Sequence, residues 1–340
     1  MNSNKRIWII IGAGLLLMLS GFIMTLYGKT STESLSQPSY TEKMFAMDTQ
    51  CSITLYDSQN FVPIRERISN LDKTISAYDD DGEIKKLNEN RSAVISEDAK
   101  NLIEESVSLY DKYSEVNPAI GRITKLWNVT GENPKVPDKE QIKKALKTVN
   151  TENIVIKSDE CTLKAGTYLD FGATGKGFAL DEVKKTLSKE DIKCAIVSFG
   201  SATLLYGTKP DGSAFNVAVT DPEDDSRQIL KFSTSSCFVA TSGGYERYFE
   251  EDGKKYSHIF DEKTGRPANT DLTSVTVICS SGIKADFLST RIYIGGKKEL
   301  SQWLNNDGIQ VIAVDKDKNV YCSDSLRSGI KMIDENYKLN

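Results

Sequence analysis

The sequence predicts an α+β, mixed α/β domain preceded by one N-terminal transmembrane helix. Two observations predict it. An uncharged apolar run, Ile7 to Gly28, stands directly after Lys5 and Arg6. The rest of the 340-residue chain alternates helical and strand-like segments with no internal repeat.

The apolar run is 22 residues long, against the roughly 20 that an α-helix needs to cross a hydrocarbon core of about 30 Å. The basic pair before it keeps the short tail in the cytoplasm and sends everything after Lys29 across the membrane. A cleaved signal peptide is the competing reading, since a basic start and an apolar core suit that too. Leu19, Ser20 and Gly21 match the first three positions of a lipoprotein processing site. Phe22 stands where the lipidated cysteine is required, so no lipid can be attached there. The expected layout is a cytoplasmic tail at 1–6, an anchor at 7–28, a linker at 29–40 and an extracytoplasmic domain at 41–340. The linker is rich in Ser and Thr with one proline, the composition of a flexible tether.

The chain carries 43 basic and 48 acidic residues, and setting aside the three basic residues of the first 30 leaves a net charge of −8. No basic stripe points to nucleic acid, and the acidic balance favours solubility. Six cysteines (Cys51, Cys161, Cys194, Cys237, Cys279, Cys322) stand singly. Zinc and CxxC redox spacings are therefore absent. Several lie in apolar runs, so buried free thiols are expected, although an exported domain permits a disulfide.

Element by element, Pro63 opens a helix whose apolar positions Ile64, Ile68, Leu71 and Ile75 recur at helical spacing. Asp138 followed by Gln141 predicts a capping box ahead of a helix carrying Ile142 and Leu146. The runs Ala195–Phe199, Asn216–Thr220, Ser274–Cys279 and Val311–Val314 read as strands, and Asp315–Asn319 as the turn of a hairpin.

Chemistry concentrates in three stretches. In Leu169-Asp170-Phe171-Gly172-Ala173-Thr174-Gly175-Lys176-Gly177, a strand is expected to end in a glycine-rich turn, with a helix starting near Lys176. Such a turn lets backbone approach a phosphate, and free N–H groups at the helix start suit an anion. The spacing is not that of a Walker A loop, and from these residues alone a tight strand-to-helix turn without ligand is the better reading. The second stretch runs from Ala240-Thr241-Ser242-Gly243-Gly244-Tyr245-Glu246-Arg247 to His258, the only histidine, with Asp261 and Thr264-Gly265-Arg266-Pro267 after it. Histidine suits proton transfer near neutral pH, although a lone histidine is commonly an ordinary surface residue. The third is Ala285-Asp286-Phe287-Leu288-Ser289-Thr290, expected on a helix. There Asp286 and Thr290 share a face and can offer two oxygens to one hard cation. The plain alternative is a hydrated helix face with a back-bonded threonine.

Taken in this order, the stretches resemble the FAD:protein FMN transferase (ApbE) family. Its pattern has Met-Gly/Asp-Thr, Asp-x-Gly-x-x-x-Lys-Gly, Thr-Ser-Gly-x-Tyr-Glu, Ser-His-x-x-Asp-Pro and Ala-Asp-x-Leu-Ser-Thr. Here stand Met47-Asp48-Thr49, Ser76-Ala77-Tyr78, Asn117-Pro118-Ala119-Ile120-Gly121 and the three stretches above, spanning about Phe45 to Gly295. The resemblance implies a T-fold-like flavin-transferase fold and an enzyme that moves FMN from FAD to a Ser or Thr hydroxyl of an acceptor flavoprotein, releasing AMP.

By the same resemblance, Asp286 and Thr290, with the carbonyl of Ala173, hold Mg²⁺, and Ser289 contributes more weakly. Met47, Tyr78, Glu115, Val116, Asn117, Asp170, Lys176 and Phe260 line the FAD site. His258 is the candidate base and Asp261 its orienting partner. Three departures are visible: Glu262 where the family has proline, Gly244 where relatives carry Asp or Asn, and Arg122 after Gly121. Two other functions remain open, an FAD pyrophosphatase using the same metal site and a non-catalytic flavin carrier.

Overall fold

The computed structural model describes residues 39–77 and 79–340. The expected anchor at 7–28, its tail, nearly all of the linker and Tyr78 lie outside the described residues. Among the described residues no helix is long and apolar enough to cross a membrane. Tyr40, grouped with the linker by composition, already opens the first strand, Tyr40–Ala46. Its residues alternate between half-buried and exposed, so an edge strand of this kind has the polar composition of a tether.

The central feature is a nine-stranded sheet in the order Tyr40–Ala46, Thr49–Leu55, Cys194–Phe199, Ala202–Gly207, Cys237–Gly243, Leu272–Cys279, Ile309–Asp315, Asn319–Cys322 and Lys338–Leu339. Neighbours pair antiparallel except the last two, which are parallel. Successive side chains on a strand face opposite ways. Val197, Leu204, Phe238, Val277 and Val311 therefore join one core, shared with Ile64, Ile68, Leu71, Phe178 and Phe287 of the helical layer. Their neighbours Ile196, Leu205, Val239, Ile278 and Ile312 join a second core, closed by Phe215, Val217, Ile229 and Phe232. Those four belong to the hairpin of Phe215–Asp221 and Asp224–Thr234. With both faces covered, the central strands are apolar along most of their length, which makes their runs legible.

Helices packed on one face of an antiparallel sheet form the α+β architecture expected. Helix Val62–Ile75 has its proline in the first turn and buries Ile64, Ile68, Leu71 and Ile75. Helix Lys139–Leu146 starts at a complete Asp138/Gln141 capping box. Helix Gly282–Gly295 has twelve buried residues, so it shows no polar face. It packs against Gly175–Lys189 and the strands Cys237–Gly243 and Leu272–Cys279. A small third cluster, Ile123, Trp127, Ile142 and Phe260, sits apart with Phe249 and Tyr256 packed against it.

No regular strand precedes the glycine-rich turn, since Tyr168 makes only an isolated bridge to Ile120 and the chain runs irregularly to Gly175. The six cysteines are free and all but Cys237 are buried. Burial pushes the Cys51 thiol up to about 12 and those of Cys161 and Cys194 to about 11. They behave as small apolar residues, not as redox groups.

Candidate active site

Where the helical layer, the sheet edge and the small third cluster meet, they enclose a cavity of about 1030 Å³. That size suits a dinucleotide-sized ligand. Its wall includes Met47, Glu115, Val116, Asn117, Asp170, Ala173, Lys176, His258, Phe260, Asp286 and Thr290. Eleven of the fourteen candidate residues thus face one space. Asp261 and Ser289 do not line it, and Tyr78 lies outside the described residues.

Asp286 is the chemical centre of one end. It is buried at 4 % exposure on helix Gly282–Gly295. Its Oδ2 accepts the Gly177 N–H at 2.9 Å, and the Lys176 N–H also reaches the carboxylate. The start of helix Gly175–Lys189 was expected to offer free N–H groups to a phosphate. Two of those donors instead serve Asp286, which takes the anion's place at the helix dipole. Burial raises the Asp286 carboxyl above the usual range, and the charge of Lys176 and the two N–H bonds oppose this in part. Among the described residues no Lys or Arg forms an ion pair with it.

The close approach depends on Gly177, where a Cβ would collide with the Gly282 carbonyl and lie 2.7 Å from the Asp286 Cβ. Gly177→Ala is expected to destabilise the fold by about 1–3 kcal/mol through overpacking of rigid backbone. A urea melt with an unchanged midpoint would remove that explanation of the glycine.

The two hydroxyls one turn on behave differently. Thr290 lines the cavity, and its Oγ1 lies 2.9 Å from Ser242 Oγ. Ser289 is fully buried, bonded to the Asp286 carbonyl at 2.9 Å and to Ser242 Oγ at 2.8 Å. It ties helix to sheet behind the cavity wall. Ser242 has no role assigned by the sequence pattern, and tertiary pairing with Ser289 and Thr290 supplies one.

The donor chemistry around Asp286 is all oxygen. A carboxylate with two N–H bonds retains acceptor capacity. Thr290 and Ala173 line the same cavity as Asp286. Among the described residues no group of three or more His, Cys, Asp or Glu side chains forms a metal cluster. One buried, ion-unpaired carboxylate with neutral oxygens is instead the sparse set from which Mg²⁺ is held together with substrate phosphate. The residues present fit that ion.

Lys176 reaches Ser201 Oγ from the helix start. Across the cavity, Met47 and Asp48 form a two-residue hairpin turn, both at φ 55°. Asp72 accepts the Met47 N–H at 2.9 Å, and Arg247 donates to the Asp48 carbonyl at 2.8 Å. Asp170 accepts from Gly172 N–H and Thr124 hydroxyl, both at 2.8 Å. Phe260 comes from the third cluster, 5.9 Å from the Trp127 ring centre.

His258 is held by Arg247. The Arg247 carbonyl lies 3.1 Å from both the His258 N–H and ring Nδ1. A carbonyl only accepts, so Nδ1 carries the hydrogen and Nε2 is left as the basic nitrogen. Desolvation, with the positive charges of Arg247 and Lys176, pushes the imidazole down to about 4. The structure does not bring Asp261 to it. The Asp261 carboxylate is consumed within its own turn, accepting Lys263 N–H at 2.8 Å and Thr264 hydroxyl at 3.1 Å. Glu246 also lines the cavity, its carboxyl raised by desolvation.

The family model of ApbE matches residues 47–313. The FAD:protein FMN transferase of Treponema pallidum is 27 % identical over 329 residues, 88 % of this chain and 91 % of that protein. The Escherichia coli K12 protein of the same name is 26 % identical, covering 79 % and 81 % of the two chains. The crystal structure of the ApbE protein from Thermotoga maritima superposes with a TM-score of 0.75 at 30 % identity, covering 87 % of this chain and 97 % of that one. The flavin transferase ApbE from Vibrio cholerae gives 0.74 at 23 % identity and matches the fold.

Proposed function

The chain belongs to the ApbE family, and we infer from this membership that it is an FAD:protein FMN transferase, moving FMN from FAD to an acceptor protein. The observation that carries this to its own residues is the shared cavity. It joins a buried carboxylate, a lysine, a neutral histidine and the Met47 turn in one space.

In the finer reading, a Ser or Thr hydroxyl of the acceptor attacks the FMN-side phosphorus of FAD. The new bond is a phosphoester, and the broken one is the P–O bond to the AMP phosphate, so AMP leaves. His258 Nε2 takes the hydroxyl proton, with the Arg247 carbonyl fixing the tautomer. Lys176 neutralises phosphate charge, and Phe260 with Met47 supports the rings. Asp286, Thr290 and the Ala173 carbonyl would hold Mg²⁺, which offsets charge on phosphate oxygens when bound. Residues 7–28 are proposed as a single-pass anchor placing this domain outside the cytoplasm, on the strength of their uncharged run behind Lys5 and Arg6.

Incubation with FAD, Mg²⁺ and a candidate acceptor domain tests the reading by mass spectrometry. Acceptor heavier by FMN, dependent on Mg²⁺, is the expected result. FMN and AMP with unmodified acceptor would make the protein a pyrophosphatase, and bound flavin without turnover would make it a carrier.

A further inference from the structure

We propose that Glu262, which stands where the family pattern has proline, is a positioning residue that fixes the Glu115–Asn117 wall of the cavity for FAD. The proposal rests on the reading of this cavity as the FAD site. After helix Glu97–Tyr113 the chain passes through two consecutive non-glycine residues with positive φ, Ser114 at φ 57° and Glu115 at φ 72°. Side chains rarely adopt that conformation, so it persists only where surrounding contacts impose it. The local chain supplies two backbone bonds, Ser114 N–H to the Tyr110 carbonyl at 2.7 Å and Val116 N–H to the Ser114 carbonyl at 2.9 Å, and neither engages the Glu115 backbone.

The constraint comes from elsewhere. Arg291 Nε donates to the Tyr113 carbonyl at 2.9 Å, and the Asp170 N–H donates to the Pro118 carbonyl at 2.9 Å. Between these two anchors lies Asn117, 3 % exposed. Its Oδ1 accepts the Ala119 N–H at 2.9 Å, and its Nδ2 donates to Glu262 Oε2 at 2.8 Å. The Tyr110 hydroxyl joins the same pair. Burial and the Glu262 charge push it up to about 12, so it stays protonated and donates. Lys263, next in the turn, pairs with Glu115, but its side chain is 69 % exposed. Exposed pairs of this kind contribute little. Glu262 is therefore the contact that matters, because its loss leaves one N–H of the buried Asn117 amide without its charged acceptor beside a strained backbone.

Full-length protein and its variants would be examined by FAD titration, steady-state kinetics and hydrogen exchange over residues 113–119. Glu262→Ala is expected to raise the KM and Kd for FAD about tenfold, keep kcat within about threefold, and speed exchange in that segment. Glu262→Gln retains an acceptor for Asn117 and is expected to stay within about twofold of the parent. Lys263→Ala should do the same. Should Glu262→Ala not fold, Glu262→Asp withdraws the acceptor by one methylene while keeping charge, and about a threefold rise in KM is expected. Unchanged FAD affinity in the folded Ala or Asp variant would overturn the proposal, as would unchanged exchange at 113–119. So would a fall in kcat at constant KM. If the parent protein binds no FAD, the functional reading fails instead, and the exchange comparison still decides whether Glu262 holds this segment.

Discussion

Asp286→Asn is expected to lower flavin transfer by at least about 10³-fold while raising the melting temperature at pH 7. The first effect follows from charge. Loss of the one carboxylate in the proposed all-oxygen Mg²⁺ set would forfeit several kcal/mol of charge stabilisation, and each 1.36 kcal/mol is about tenfold in rate. The second follows from burial. Desolvation is the largest influence on this carboxyl and raises it, despite Lys176 and two backbone donors. A carboxyl whose folded value lies above its unfolded value contributes stability below the unfolded value. That contribution is lost as pH rises through the folded one. At neutral pH, where the unfolded carboxyl is ionised, the buried group is therefore a cost to the fold without its cation. Asparagine keeps an oxygen for the Gly177 N–H and drops the charge. The check is a thermal melt without FAD or metal, repeated at pH 5 and 7, beside a transfer assay. A lower melting temperature in the variant, or transfer within tenfold of the parent, would refute the assignment. Such a trade of stability for activity is common where a site is built from buried charge.

What could be read from the chain follows how local each cause is. The helix of Ile64, Ile68, Leu71 and Ile75 and the Asp138/Gln141 cap were legible because their determinants lie within one or two turns. The central strands were legible as apolar runs, but their order was not. The placement of Cys237–Gly243 between Ala202–Gly207 and Leu272–Cys279 is set by packing between distant segments. In the site, an ordered set of motifs pointed to residues from Met47 to Thr290 that meet at one cavity. The errors have a common origin in reading nearness along the chain as pairing. Asp261 is close to His258 in sequence, yet aspartate in a turn is readily captured by the N–H two residues on, as happens with Lys263. The partner of His258 is a backbone carbonyl, which no side-chain motif records. Likewise the donors at the start of helix Gly175–Lys189 were visible, whereas their acceptor, Asp286, lies over a hundred residues away.

His258→Ala is expected to reduce the transfer rate by about 10²–10⁴-fold, the usual contribution of a positioned general base. FAD binding should change far less, because the proposed flavin and phosphate contacts lie on other residues. The pH dependence separates a base from a merely structural histidine. In the free protein the ring is held down to about 4 by desolvation and by Arg247 and Lys176. The acid limb of kcat/KM, which reports the free enzyme, should therefore lie well below the ordinary histidine value of about 6.5. The limb of kcat should lie higher, because the negative pyrophosphate of bound FAD favours the charged ring. Stability must be followed in parallel. A ring with a depressed folded value stabilises the fold above the unfolded value of about 6.5, and that contribution is lost as pH falls toward 4. Melts across this window distinguish acid unfolding from titration of the base. If the kcat/KM limb sits near 6.5 and persists in His258→Ala, the proton is taken by another group. Glu246, a cavity residue whose carboxyl is raised by burial, would then be the next to substitute.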